Sequence, residues 1–133
     1  MVAFRILALG GGGTKGFLHI GALQELESRV GNLTEHFKRG VYGSSIGSII
    51  ATGIAFGFNV EQMERLSRQC MSLSFLFDNL NVKSLSQVGH KKGIFSMDSF
   101  EEQLLKVFDT EGVDLRNKYL NDTKIPLYVI ASN

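Results

Sequence analysis

Cysteine occurs once, at Cys70, and proline once, at Pro126, among 133 residues. One thiol closes no internal disulfide, which excludes a disulfide scaffold and a multi-cysteine metal site. Cys70 is most simply a small buried side chain. Charge of one sign is scarce too: 14 Lys and Arg stand against 13 Asp and Glu, for a net +1. Neutralising a phosphate backbone takes a larger basic excess, so no nucleic-acid partner is expected. No stretch approaches the roughly 20 apolar residues of a membrane span. The longest candidate, residues 49–60, is broken by Gly53 and Gly57. The N-terminal apolar run is too short for a signal-peptide core and stops at Gly10. The expectation is a cytoplasmic or peripheral membrane protein with one domain over residues 1–133.

Glycine is what the chain has in excess, with 15 residues. That is about 11%, against a usual value of roughly 7%. Glycine loses much conformational entropy on folding, so an excess needs a reason. The segments around the glycines have clear periods. Residues 3–9 predict a short buried strand ended by glycines. Residues 16–30 predict a helix, with Leu18, Ala22, Leu23, Leu26 and Val30 at three- and four-residue spacing. Residues 41–42 centre a very short strand that runs into Gly43. A helix over residues 45–56 is apolar on nearly all sides and so should be buried. Asn59 is a candidate cap for a helix over residues 60–72, and residues 83–92 look like loop. Asp98 and Glu101 have capping-box spacing at the start of a helix that ends near Phe108. Pro126 opens a last strand over residues 127–131. Strands separated by helices predict an α/β fold, a three-layer α/β/α arrangement with a mainly parallel sheet.

The first glycine-rich turn, residues 10–16, lies between the first strand and the first helix. Its bare backbone lets N–H groups converge beside the positive end of a helix on something negative. That could be a dinucleotide pyrophosphate, a nucleoside triphosphate or the oxyanion of an acyl-transfer intermediate. The triphosphate fits poorly, because Lys15 precedes Gly16 and Phe17 follows it. Gly11, Gly13 and Gly16 do match the dinucleotide spacing. The acidic residue that would bind the ribose should end the second strand, but Gly43 and Ser44 stand there, and Glu35 lies before it.

The second turn reads Gly43-Ser44-Ser45-Ile46-Gly47, again between a strand and a helix. Gly-x-Ser-x-Gly in that context is a nucleophile elbow, a turn sharp enough to lift the serine clear of the sheet. Ser45 alone has glycine at both −2 and +2. In a parallel sheet both turns fall at the carboxyl edge, where such folds bind ligands.

These two turns, in this order, resemble the patatin-like phospholipase family. The family's loop Gly-Gly-Gly-x-Arg/Lys-Gly is matched by residues 11–16, with Lys15 at the basic position. Gly10 stands where many members have Asp. The helix start over residues 16–23, the elbow at residues 43–47, and residues 93–98 and 124–132 are also similar to the family. The resemblance implies a lipid acyl hydrolase of phospholipase A or lysophospholipase type, working by a Ser–Asp dyad with no metal and no cofactor. Ser45 would be the nucleophile. The N–H groups of Gly11, Gly12 and Gly13 would form the oxyanion hole. Gly16, Gly43 and Gly47 would shape the two turns. Lys15 would support the loop or a lipid phosphate electrostatically, or is simply a solvated first-turn lysine. The substrate would be a lipid or phospholipid met at a membrane surface, and an activating protein partner is left open.

The family's aspartate lies in an Asp-Gly-Gly or Asp-Gly-Ala motif beyond the last strand, and this chain contains no Asp-Gly pair. The expectation is therefore the N-terminal portion of a patatin-like domain, incomplete at its C-terminus. Among substitutes for the base, His19 is expected to be a packed helix residue, His36 and His90 have no positional argument, and Asp98 is a cap. Three alternatives stand. One is a dinucleotide-binding Rossmann-like module using Gly11–Gly16. Another is a non-catalytic lipid-binding homologue. The third is an ordinary α/β-hydrolase, whose elbow usually follows more strands than two. Residues 71–77 could be core or part of a lid, and His90, Lys91 and Lys92 a solvated turn or a headgroup contact.

Overall fold

Three short apolar runs pair as strands β1 (Ile6–Leu9), β2 (Gly40–Ser44) and β3 (Leu127–Ile130). They form one parallel sheet in the order β1-β2-β3. The computed structural model describes residues 4–12, 16, 18–70 and 97–131, and for residues 97–100 the backbone alone. The expected segments over residues 71–77 and 83–92, and His90, lie outside the described residues. Register aligns Leu9, Gly43 and Val129 across the sheet, so β1 and β2 end side by side at the carboxyl edge.

Helix α1 (Leu18–Val30) connects β1 to a one-turn helix α2 (Leu33–His36) ahead of β2. Helix α3 (Ile46–Ala55) connects β2 onward. It is followed by α4 (residues 60–70) and α5 (Met97–Thr110). Two single 3₁₀ turns, Leu115–Asn117 and Leu120–Asp122, then lead to β3. Helix α3 is apolar all round, as a central helix must be. It packs against all three strands, with Ile46, Ile50, Ala51, Ile54 and Ala55 buried. The same core takes Ile20 and Leu23 from α1, Leu33 from α2, Met63 and Leu66 from α4, and Val107 and Phe108 from α5. Asn59 does cap α4, by a reciprocal box: Gln62 N–H donates to Asn59 Oδ1 at 2.9 Å and Asn59 N–H donates to Gln62 Oε1 at 3.0 Å.

The sheet's two faces differ. Leu9, Val41 and Leu127 are buried on the α3 face. The opposite face carries Ala8, Tyr42, Tyr128 and Ile130, and the Tyr42 and Tyr128 rings stack 4.3 Å apart. In a parallel sheet whose strand order follows the chain, right-handed crossovers put successive helices on one face. The other face then needs a layer of its own, because parallel sheets are normally covered on both sides.

Several boundaries differ from the sequence expectation for local reasons. Strand β1 begins at Ile6, because its partner β2 begins at Gly40, opposite it. Strand β2 is longer than residues 41–42, since glycine and serine at both ends still pair through their backbones. Helix α2 is too short to show a helical period, and its signal is the cap. There Asn32 Oδ1 accepts the Glu35 N–H at 3.1 Å. Helix α5 is described over Met97–Thr110, which puts Asp98 inside the helix and not at its cap, and carries its end past Phe108. No helix among the described residues is long and apolar enough to cross a membrane.

Candidate active site

Ser45 sits between the end of β2 and the first residue of α3. Its backbone is at φ 52°, ψ −129°, and it is the only non-glycine residue with positive φ among those described. Such a conformation costs of order 1–3 kcal/mol and persists only where its surroundings enforce it. A serine in this position ordinarily caps the helix with its side chain. Ser45 makes no such bond, so its exposed hydroxyl is left uncommitted to the helix it precedes. Its carbonyl is tied down instead, accepting the Ser48 N–H at 2.9 Å and the Ser48 hydroxyl at 2.5 Å. The α3 dipole places partial positive charge beside the serine oxygen.

Two glycines permit the sharp turn. A Cβ at Gly43 would collide with the Gly47 carbonyl oxygen and lie 2.5 Å from Ser48 Cα. A Cβ at Gly47 would collide with the Leu9 carbonyl oxygen and lie 2.7 Å from that of Gly10. Thus α3 starts hard against both β2 and the exit of β1. Gly16 is buried against Ile46, where a Cβ would overlap the isoleucine Cγ2.

The glycine loop meets the elbow directly. The Gly11 N–H donates to Ser44 Oγ at 3.1 Å, and a Cβ on Gly11 would lie 3.0 Å from Ser45 Cβ. Gly12 follows, exposed. Gly13 and Lys15 lie outside the described residues. His19, in the first turn of α1, is hydrogen-bonded through Nε2 to the Gly10 carbonyl at 3.0 Å. The structure therefore brings Gly11, Gly16, Gly43, Ser45 and Gly47 to one edge of the sheet. It adds Ser44 and His19, neither of which the motif letters single out as a loop contact.

The remaining polar groups stand apart. His36 ends α2 and meets Phe37 edge-on. Glu35 lies in α2, before β2 begins, so no acid ends β2 to hold a ribose. No group of three or more His, Cys, Asp or Glu among the described residues could hold a metal ion. Cys70 is buried, and burial pushes its thiol up to about 11, well away from a nucleophilic thiolate. A surface depression lined by Leu120, Lys124, Pro126 and Tyr128 opens beside the start of β3, at the edge opposite Ser45.

Comparison with known proteins finds a family and two relatives. The family model for patatin-like phospholipases matches residues 7–130. A cUMP-AMP-activated phospholipase of Escherichia coli is 34% identical over 104 residues, covering 77% of this chain and 32% of that protein. An uncharacterized protein of Acanthamoeba polyphaga mimivirus is 24% identical over 127 residues, covering 96% of this chain and 41% of that protein. The chain thus spans about a third to two fifths of the length of these relatives. No solved structure matches.

Proposed function

The chain belongs to the patatin-like phospholipase family, and on that premise we propose that it carries the nucleophile of a serine-dependent lipid acyl hydrolase. The observation that carries the proposal is Ser45. It is exposed, it is held at positive φ, and its hydroxyl is not used as a helix cap. A structural serine at a helix start would show the opposite pattern.

In the proposed reaction, Ser45 Oγ attacks the carbonyl carbon of a lipid ester. Its proton passes to a carboxylate, and the carbonyl oxygen becomes an oxyanion. Of the three expected oxyanion donors, Gly11 has its N–H engaged by Ser44 Oγ and is withdrawn from the set, so the charge falls to the loop N–H groups of Gly12 and Gly13. Preorganised donors of this kind are each worth about 10²–10³ in rate. The alcohol leaves with a proton, and water then hydrolyses the acyl-enzyme by the reverse proton path. The carboxylate belongs to the dyad aspartate that the family carries in an Asp-Gly motif, and this sequence has no such pair. Hence the reaction is proposed for a longer polypeptide containing this chain. Lys15, at the family's basic position, would favour an anionic phospholipid at a membrane surface.

The test uses the longest natural polypeptide that contains this chain, treated with a fluorophosphonate probe and with phospholipid vesicles. Ser45→Ala is expected to abolish labelling and to lower acyl release on the order of 10⁶-fold. Undiminished acyl release in that variant would end the proposal. Saturable dinucleotide binding that survives the substitution would turn it toward a nucleotide-binding module.

A further inference from the structure

Two bonds at the glycine loop fall on one peptide unit. The Gly10 carbonyl is bonded to His19, and the Gly11 N–H to Ser44. These groups are the two polar edges of a single planar peptide. We propose that His19 and Ser44 are positioning residues that clamp the Gly10–Gly11 peptide plane and so aim the N–H of the next residue, Gly12, at the acyl carbonyl. The inference rests on the acyl-hydrolase reading of Ser45 and deepens it.

The physical need is plain. Four successive glycines, Gly10 to Gly13, form the least restrained backbone a chain can have. An oxyanion hole works only if its donors are already aligned when charge develops. Something outside the loop must therefore hold it. A planar peptide gripped at its carbonyl and at its N–H can no longer rotate about its Cα–Cα axis. Both grips come from regular elements, His19 from α1 and Ser44 from β2. Ser44 also precedes the nucleophile, so the grip sets the loop relative to Ser45 itself.

The chemistry of the bonds is fixed by the carbonyl. Gly10 oxygen can only accept, so His19 carries a proton on Nε2. In that state Nε2 has no lone pair with which to take a proton, so this nitrogen serves the loop and not Ser45. Ser44 Oγ accepts from Gly11 and keeps its own O–H free to donate elsewhere.

The test again uses the longest natural polypeptide. Ser44→Ala and His19→Phe remove one grip each. Ser44→Thr and His19→Gln keep an acceptor and a donor at matching positions. On phospholipid, each removal is expected to lower kcat about 10- to 100-fold, below the loss from deleting an oxyanion donor. KM should move less than about threefold, because the clamp acts on the transition state. The double removal should cost little more than the worse single one, since either alone frees the plane. Threonine and glutamine should restore most of the rate. Hydrogen exchange of the loop amides should rise about tenfold in the two removal variants and stay near the parent value in the conservative pair. Unchanged loop exchange in Ser44→Ala and His19→Phe overturns the clamp, whether or not the protein hydrolyses lipid. So does a kcat within twofold of an active parent in both variants. A parent that neither labels nor releases acyl chains overturns the hydrolase reading, and the exchange measurement still decides the clamp.

Discussion

At the residue scale, Ser45 holds a backbone conformation that most side chains avoid, and Gly43 and Gly47 make room for it. The letters of the elbow were legible in the sequence because glycine at both flanking positions is a steric requirement, visible without any structure. The clamp was not legible. Ser44 and His19 are common residues, and their roles depend on which way a carbonyl and an N–H point. Gly47→Ala tests how tightly the two turns are coupled. Its new methyl would overlap the Leu9 carbonyl oxygen and crowd that of Gly10. Those are backbone atoms, so relief requires moving β1 or the start of α3. Overpacking of this kind typically costs about 1–3 kcal/mol. The expected result is a lower urea midpoint together with loss of probe labelling at Ser45. A variant of parental stability and labelling would show that the elbow is looser than drawn.

At the element scale, helices with strong periods were legible, and short or glycine-paired elements were not. Helices α1, α3 and α4 follow from apolar spacing and from the Asn59 cap. Helix α2 has only its Asn32 cap to announce it. The two 3₁₀ turns before β3 rest on local bonds, such as Arg116 N–H to Asp114 Oδ1 at 3.2 Å and Tyr119 N–H to Asp122 Oδ2 at 2.7 Å. Such bonds leave no period behind. The docking of α4 on the end of α5 was equally hidden, since its partners are far apart in sequence. Arg65 Nε and Nη2 donate to Glu111 Oε1 and Oε2 at 2.6 and 3.0 Å. The guanidinium hydrogen bonds hold the Glu111 carboxyl below its ordinary range, against an opposing push from desolvation. A carboxyl depressed on folding adds stability that is present above its unfolded value, about 4.3, and is lost as pH falls through the lower folded value. Melting temperatures of the parent and of Glu111→Gln, taken from about pH 7 down to about pH 3, should show a constant gap that closes only below about pH 4.3. A gap that persists at the acid end would assign the difference to packing and not to the ion pair.

At the scale of the whole molecule, the parallel α/β class follows from the alternation of strands and helices, and the sheet edge holding the candidate site follows from the class. What alternation could not reveal is how unequal the two faces are. Strands this short show no clean alternation of polar and apolar residues, because both faces carry apolar side chains. Leu9, Val41 and Leu127 are covered by α3, yet Ile6 is 50% exposed, Tyr128 46% and Ile130 63%. With Phe4, 73% exposed, and Ala8, they leave apolar side chains in water on a sheet type that is normally sandwiched. An uncovered apolar area of this kind drives association. Residues 1–133 prepared alone should therefore bind a hydrophobic dye such as anilinonaphthalene sulfonate and self-associate as concentration rises. Tyr128→Lys and Ile130→Lys, on the exposed face, should reduce both without lowering helical circular dichroism. The same substitutions in the longest natural polypeptide should instead destabilise it by about 1–3 kcal/mol, the cost of an unpaired polar group in an apolar contact. If the isolated chain stays monomeric and dye-free, the exposed face is covered in solution by residues of this chain. If the lysines are neutral in the longer protein, that face is solvent-exposed there too, and its second layer lies elsewhere.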